Sequence, residues 1–256
     1  MVNRLQPHLD TIIVPLQNFE KAYDRVNWDF LKLTLIKFGF LKKITELIMN
    51  CVSATSLSLE WNNENLPSFT PRRGLKQGDL LSPYLFMLFI EKLAILINEL
   101  VHENKWQSLS IKNNGPRVSH FFFVDDCLLF SKACASQVEL VKEVLERFCV
   151  ASGLKVSVDK SRFYASKNVS NTKRCHFSNI INFQYTSNPG KYLGFPIFTS
   201  CVTKREFNFI LDHIQGKLRG WKSKLLNRAG RMTLSQSVLA SIPSYVMNNY
   251  LLPRYL

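Results

Sequence analysis

The feature that most limits what this chain can fold into is FFFVDDCLLF, where adjacent carboxylates, Asp125 and Asp126, sit inside a strongly apolar stretch. Unpaired carboxylates in such surroundings carry a large desolvation cost. Val118–Phe123 and Cys127–Phe130 are β-prone runs joined through Val124, Asp125 and Asp126, which predicts a hairpin with both acids at its tip. A cation offsets the charge of such a pair. Mg²⁺ takes oxygen ligands and is often held by one or two carboxylates plus substrate phosphates. The bland alternative is a solvated Asp-Asp turn, since turns are rich in Asp.

The flanking periodicities place this hairpin in a larger layer. Trp28, Leu31, Leu35 and Phe38 recur at helical spacing, Asn27 or Asp29 is placed to cap them, and Gly39 stops the run. SLSLEW and LPSFT, separated by Asn62–Asn65, predict a second hairpin, and a long apolar helix runs from Pro83 to about Glu99. Val138, Val141, Leu145 and Phe148 mark another helix, ended by Gly153, with a strand near Phe163 after it. Hairpin, helix, hairpin, helix and strand give an α+β architecture, an antiparallel sheet backed by helices. From Thr203 the pattern is helical: Phe207, Ile210, Leu211, Ile214 and Leu218 share a face, and Met232–Ile242 form a further helix ended by Pro243. A boundary is expected near Ser200.

With 256 residues, 46% of them hydrophobic, the chain can bury one large core or two small ones. Its formal charge is +14, unevenly spread. Up to Lys160 there are 19 basic and 17 acidic residues; from Ser161 there are 14 basic residues against Glu206 and Asp212 alone. That end favours a polyanion such as a phosphate backbone, the alternative being a merely solvated basic face. The six cysteines show no CxxC pair and no zinc spacing, which predicts reduced, mostly buried thiols in an intracellular setting. The start, MVNRLQPHLDTIIVPL, has no signal-type stretch, and Pro83, Glu91 and Lys92 interrupt Leu80–Leu100, so no membrane span is expected.

Six segments in a fixed order, covering nearly the whole chain, resemble motifs of non-LTR (LINE-type) retrotransposon reverse transcriptases, particularly those of plant elements. They are NFEKAYDRVNWDFL, RRGLKQGDLLSPYLF, FVDD, ASGLKVSVDKS, KYLGFPI and GWKSKLLNRAGRMTLSQSVLASIPSYVM. The resemblance implies a right-hand polymerase palm followed by a helical, thumb-like segment. It implies RNA-directed DNA polymerase activity with two Mg²⁺ ions, or Mn²⁺ in their place, an RNA template, a DNA primer and deoxynucleoside triphosphates. On this basis Asp125 and Asp126 match the metal-binding pair, and Tyr23 the aromatic gate against a ribose 2′-hydroxyl. Gln77 and Gly78 match positions near the incoming nucleotide, with Arg72, Arg73 and Lys76 set to meet phosphates, and Lys160 resembles the lysine near the triphosphate. Tyr192, Leu193 and Gly194 match the primer grip. Trp221, Lys222, Lys224, Arg228 and Arg231 suit a template–primer track. Without the resemblance, each of these is an ordinary core aromatic, solvated lysine or charged helix face.

Two departures set this chain apart. The family begins its first catalytic motif with Asp, as in DFEKAYD, whereas here the position is Asn18, a neutral and poorer Mg²⁺ ligand. Glu20 shares the face of residue 18 in a regular strand, so substitution by its longer side chain is sterically conceivable. Gln17 also runs directly into Asn18, where the family carries a fingers-side stretch of several dozen residues. The expected organisation is a fingers-side remnant at 1–17, a palm at 18–200 and a thumb-like extension at 201–256. The expected function is an impaired reverse transcriptase, with a non-catalytic nucleic-acid-binding remnant of the same fold as the alternative. A protein-interaction domain whose basic end is incidental is the unrelated class.

Overall fold

In the computed structural model of the chain, residues 11–16, 19–54, 56–110, 115–193, 195–197, 207–219, 226–242 and 244 are described. They belong to two compact units, His8–Pro189 and the part from Gly190 onward.

The first unit begins with strand β1 (Thr11–Leu16), a short helix α1 (Ala22–Arg25) and α2 (Trp28–Lys37). Asn27 caps α2 by accepting the Phe30 amide at 3.1 Å, and Leu31, Thr34 and Leu35 face the core. α3 (Lys42–Ser53) was not singled out by pattern; it buries Thr45 and leaves Ile44 and Leu47 exposed. The expected hairpin follows as β2 (Glu60–Trp61) and β3 (Glu64–Asn65), with a shorter connection than expected: only Asn62 and Asn63, both with positive φ, form the turn, and Glu64 and Asn65 pair with β2. α4 (Ser82–His102) carries Pro83 in its first turn and buries Phe86, Phe89, Leu93 and Ile97.

Beyond α4, strands β4 (Leu109–Ser110) and β5 (Arg117–Val118) pair with each other. β6 (His120–Phe123) and β7 (Asp126–Lys132) form the acid-tipped hairpin. α5 (Ala135–Ser152) ends at Gly153, whose φ of 79° closes the helix in the left-handed conformation. The unit closes with β8 (Arg162–Ala165), α6 (Asn171–Ile181) and β9 (Gln184–Thr186).

Five of these strands form one sheet in the order β6-β7-β1-β8-β9. Every pair is antiparallel except β8 and β9, which run parallel at one edge with α6 as their crossover. The sequence reading assigned no strand to Thr11–Leu16, yet β1 is the central strand, paired with β7 from Thr11↔Lys132 to Leu16↔Cys127 and with β8 at Ile12↔Ala165 and Ile13↔Tyr164. A strand covered on both faces is a continuous apolar run, and TIIV lacks the alternation that marks a half-exposed one. Ile12, Val14 and Phe163 meet Val138 and Val141 of α5 and Phe177 of α6, so helices back the sheet as expected.

The second unit contains a hairpin, β10 (Lys191–Tyr192) with β11 (Phe195–Pro196), then α7 (Asn208–Arg219) and α8 (Arg228–Thr233). α8 continues into a π-helical turn, Leu234–Leu239. Of the face expected on α7, Ile210 is buried with the preceding Phe207, while Leu211 and Leu218 stay exposed. The thiols also depart from expectation: of the five described cysteines, all free, only Cys127 is buried, and Cys201 lies outside the described residues. Among the described residues, no helix is long and apolar enough to cross a membrane.

Candidate active site

Three strand ends converge at one end of the sheet. β1 finishes at Leu16 opposite Cys127, so it stops beside the start of β7, where Asp126 lies. The register Phe123↔Asp126 leaves Val124 and Asp125 as a two-residue turn. β8 runs antiparallel to β1 and starts at Arg162, which brings the Val158–Lys160 turn to this same end. The chain resumes after β1 at Phe19, bridged to Val156. Asn18 itself lies outside the described residues.

Burial, and then the charge of Asp125, raise the Asp126 carboxyl above its ordinary range. The Tyr23 phenol is raised by burial and, second, by Asp125, so the proposed gate feels the acid in the turn. The Cys127 thiol is pushed far up by burial and by both carboxylates; it is an inert core group. Two adjacent half-buried carboxylates are a donor set suited to a divalent cation, whose charge would relieve the repulsion that Asp126 feels from Asp125. Among the described residues, no group of three or more His, Cys, Asp or Glu side chains converges, so this set provides two carboxylates.

Glu20 does not add a third. Its Oε2 lies 3.4 Å from Arg25 Nη2 and its Oε1 3.2 Å from Lys155 Nζ, while its amide donates to the Lys155 carbonyl at 2.8 Å. The carboxylate is committed to two cations, which binds residues 19–25 to the segment after α5.

Tyr23 is fixed from two directions by one segment. Its ring stacks on Phe86 of α4 at 4.8 Å, and its carbonyl accepts the Leu75 amide at 2.7 Å. The 72–79 loop thus lies against α1, and Arg72, Arg73, Lys76, Gln77 and Gly78 are exposed on it. Gly78 has φ +88° and open space around a would-be Cβ, so backbone conformation and not crowding requires glycine there. Lys160 is exposed in its turn.

The other expected contacts fall in the second unit. Tyr192 is half-buried, and Leu193, at φ 53°, turns the β10–β11 hairpin. Arg228 is exposed, and Arg231 Nε donates to the Leu226 carbonyl at 3.0 Å. Gly194, Trp221, Lys222 and Lys224 lie outside the described residues. The sequence reading placed Trp28 on the apolar face of its helix and did not single out Phe86. Their contacts with Gly74 and Tyr23 join positions far apart in the chain, which no local pattern signals.

A family model for the reverse transcriptase (RNA-dependent DNA polymerase) domain matches residues 12–197. The chain belongs to this family. Among curated relatives, it is 28% identical over 153 residues to the retrovirus-related Pol polyprotein of the type-2 retrotransposable element R2DM of Drosophila melanogaster, covering 60% of this chain and 14% of the relative. It is 46% identical over 57 residues to an uncharacterized mitochondrial protein of Arabidopsis thaliana, covering 22% of this chain and 47% of that one. The reverse transcriptase chain thus spans less than half the length of either relative. Its fold resembles a Candida tropicalis telomerase solved with a TWJ fragment of telomeric RNA, at a TM-score of 0.51 and 14% identity over 96% of this chain and 39% of that one. The match to a non-LTR element agrees with the motif reading, and the family's chemistry depends on divalent metal.

Proposed function

We propose that this chain is the palm and helical thumb-like part of an RNA-templated DNA polymerase whose nucleotidyl transfer is impaired at Asn18. The observation that carries the reading is the Val124–Asp125 turn, which sets two carboxylates at the sheet end where β1 leads to Asn18 and whose charge reaches Tyr23. Asp125 and Asp126 are the metal ligands in this account. Together they would hold the two divalent ions, Mg²⁺ or Mn²⁺, which would supply activation of the primer 3′-hydroxyl and positive charge for the leaving pyrophosphate. Tyr23, backed by the buried Phe86, walls the sugar of the incoming deoxynucleoside triphosphate. Gln77 and Gly78 approach its base and sugar, and Arg72, Arg73, Lys76 and Lys160 meet phosphate.

Tyr192, Leu193 and Gly194 grip the primer, and Trp221, Lys222, Lys224, Arg228 and Arg231 follow the template–primer backbone. Thr11–Leu16 joins 18–200 in the palm, and 201–256 is the thumb-like extension. The neutral amide of Asn18 and the commitment of Glu20 to Arg25 and Lys155 favour a second reading, a remnant that binds primed template without extending it.

Purified protein titrated with primed RNA separates these readings from an unrelated domain: both predict affinity that falls steeply with salt. Extension by the Asn18→Asp chain that is lost in Asn18→Asp/Asp125→Ala, with binding unchanged, supports the polymerase site. Extension that survives loss of Asp125 removes it.

A further inference from the structure

The loop that carries Gln77 and Gly78 is held to the proposed gate by a side chain outside the recognised nucleotide contacts. The Trp28 indole Nε1 donates to the Gly74 carbonyl at 2.8 Å, across 46 residues of sequence. The preceding peptide unit is tied as well, because the Gly74 amide donates to the Val26 carbonyl at 2.8 Å. The next amide, of Leu75, donates to the Tyr23 carbonyl at 2.7 Å. Gly74 has φ +93°, and a Cβ there would lie 2.9 Å from the Asp24 carbonyl oxygen, so backbone meets backbone at van der Waals range. Leu75 is 4% exposed, whereas Arg72, Arg73, Lys76, Gln77 and Gly78 around it are all exposed. The loop is anchored at two residues and open to ligand on either side of them.

We infer that Trp28 is a positioning residue for nucleotide binding: its indole N–H ties the Gly74 carbonyl to the start of α2 while the Leu75 amide of the same peptide bonds Tyr23 of α1, so that the gate at Tyr23 and the loop at Gln77–Gly78 hold one fixed spacing. This rests on the polymerase reading, because the incoming deoxynucleoside triphosphate is the ligand whose site the spacing defines. A bond at the edge of a half-buried indole has a limited stabilising value, and three hydrogen bonds on the two peptides that flank Gly74 leave them a single arrangement. Binding a ligand to a loop that must first be ordered costs affinity; a loop already held does not incur that cost. Trp28 touches no ligand in this scheme, and its effect passes through Gly74.

The variant is Trp28→Phe, which keeps an aromatic ring in α2 and removes only the donor. Two measurements are paired. In the first, native and variant protein are bound to primed RNA ending in a dideoxynucleotide, and the next complementary deoxynucleoside triphosphate is titrated while complex lifetime is followed; no turnover is needed. The inference predicts that Trp28→Phe raises the nucleotide concentration for half-maximal stabilisation by about five- to tenfold, with affinity for the primed template unchanged and Tm lowered by no more than about 2–4 °C. Unchanged nucleotide dependence overturns it. In the second, hydrogen–deuterium exchange of the 71–80 peptide is compared in the two proteins without nucleic acid. Faster exchange there in Trp28→Phe supports the lock, and equal exchange overturns it. If the native protein shows no response to nucleotide while the peptide loosens, the polymerase reading falls and Trp28 is only a structural clasp; that outcome also overturns the nucleotide-positioning role.

Discussion

At Asp126 the fold works against its own charge. Burial and the neighbouring Asp125 raise its carboxyl above the ordinary aspartate range, so between the unfolded value and the raised one the native state holds a proton that the unfolded chain has released. The cost is absent below the unfolded value, grows as pH rises through the window up to the raised value, and is complete above it. Asp126→Asn should therefore raise Tm at pH 7 and leave it unaltered at pH 3 in metal-free buffer. The gain should be less than about 1 kcal/mol, because a half-solvated pair is partly screened. Equal shifts at both pH values would show that packing and not charge is responsible. The same residue illustrates what a sequence discloses. Two acids in an apolar run advertise a charged turn, but which of them enters the strand depends on register: Asp126 pairs with Phe123, and Asp125 occupies the turn.

The β6–β7 hairpin stores strain at that turn. Val124 has φ 54°, a left-handed conformation that a β-branched side chain adopts only at a cost of about 1–3 kcal/mol. Asn tolerates this conformation, so Val124→Asn should stabilise the protein by about 1 kcal/mol in urea unfolding while the strands remain paired. A loss of stability instead would mean that the half-buried Val124 side chain contributes more by packing than its backbone costs. α2, α4 and α5 were legible because each has one buried and one solvated face, or a cap such as Asn27 or Gly153, and the hairpin because two acids interrupt its β-prone apolar runs. β1 was not, since a central strand has no solvated face to create alternation. α6 was not either: NTKRCHFSNII buries only Phe177 and Ile181, too few to set a period. The parallel edge of β9 follows from that missed crossover helix, and the loop–gate contacts through Gly74 arise between elements that only the assembled fold brings together.

At the scale of the whole molecule, the uneven charge separates binding from chemistry. The stretch from Ser161 onward holds 14 of the 33 basic residues with only two acids, whereas the acid pair sits in the nearly balanced part. In this account the chain engages primed template through the former and depends on the latter for reaction, so a defect at residue 18 should leave affinity intact and lower rate. The most direct test is single-nucleotide extension of primed RNA in Mg²⁺ by the native chain beside Asn18→Asp, at matched occupancy of template. The account predicts that the revertant is faster by at least about a hundredfold, since even second-sphere partners of a metal site are worth ten- to a hundredfold. Equal, Asp125-dependent rates from both proteins would contradict it and show that the site works without a carboxylate at position 18.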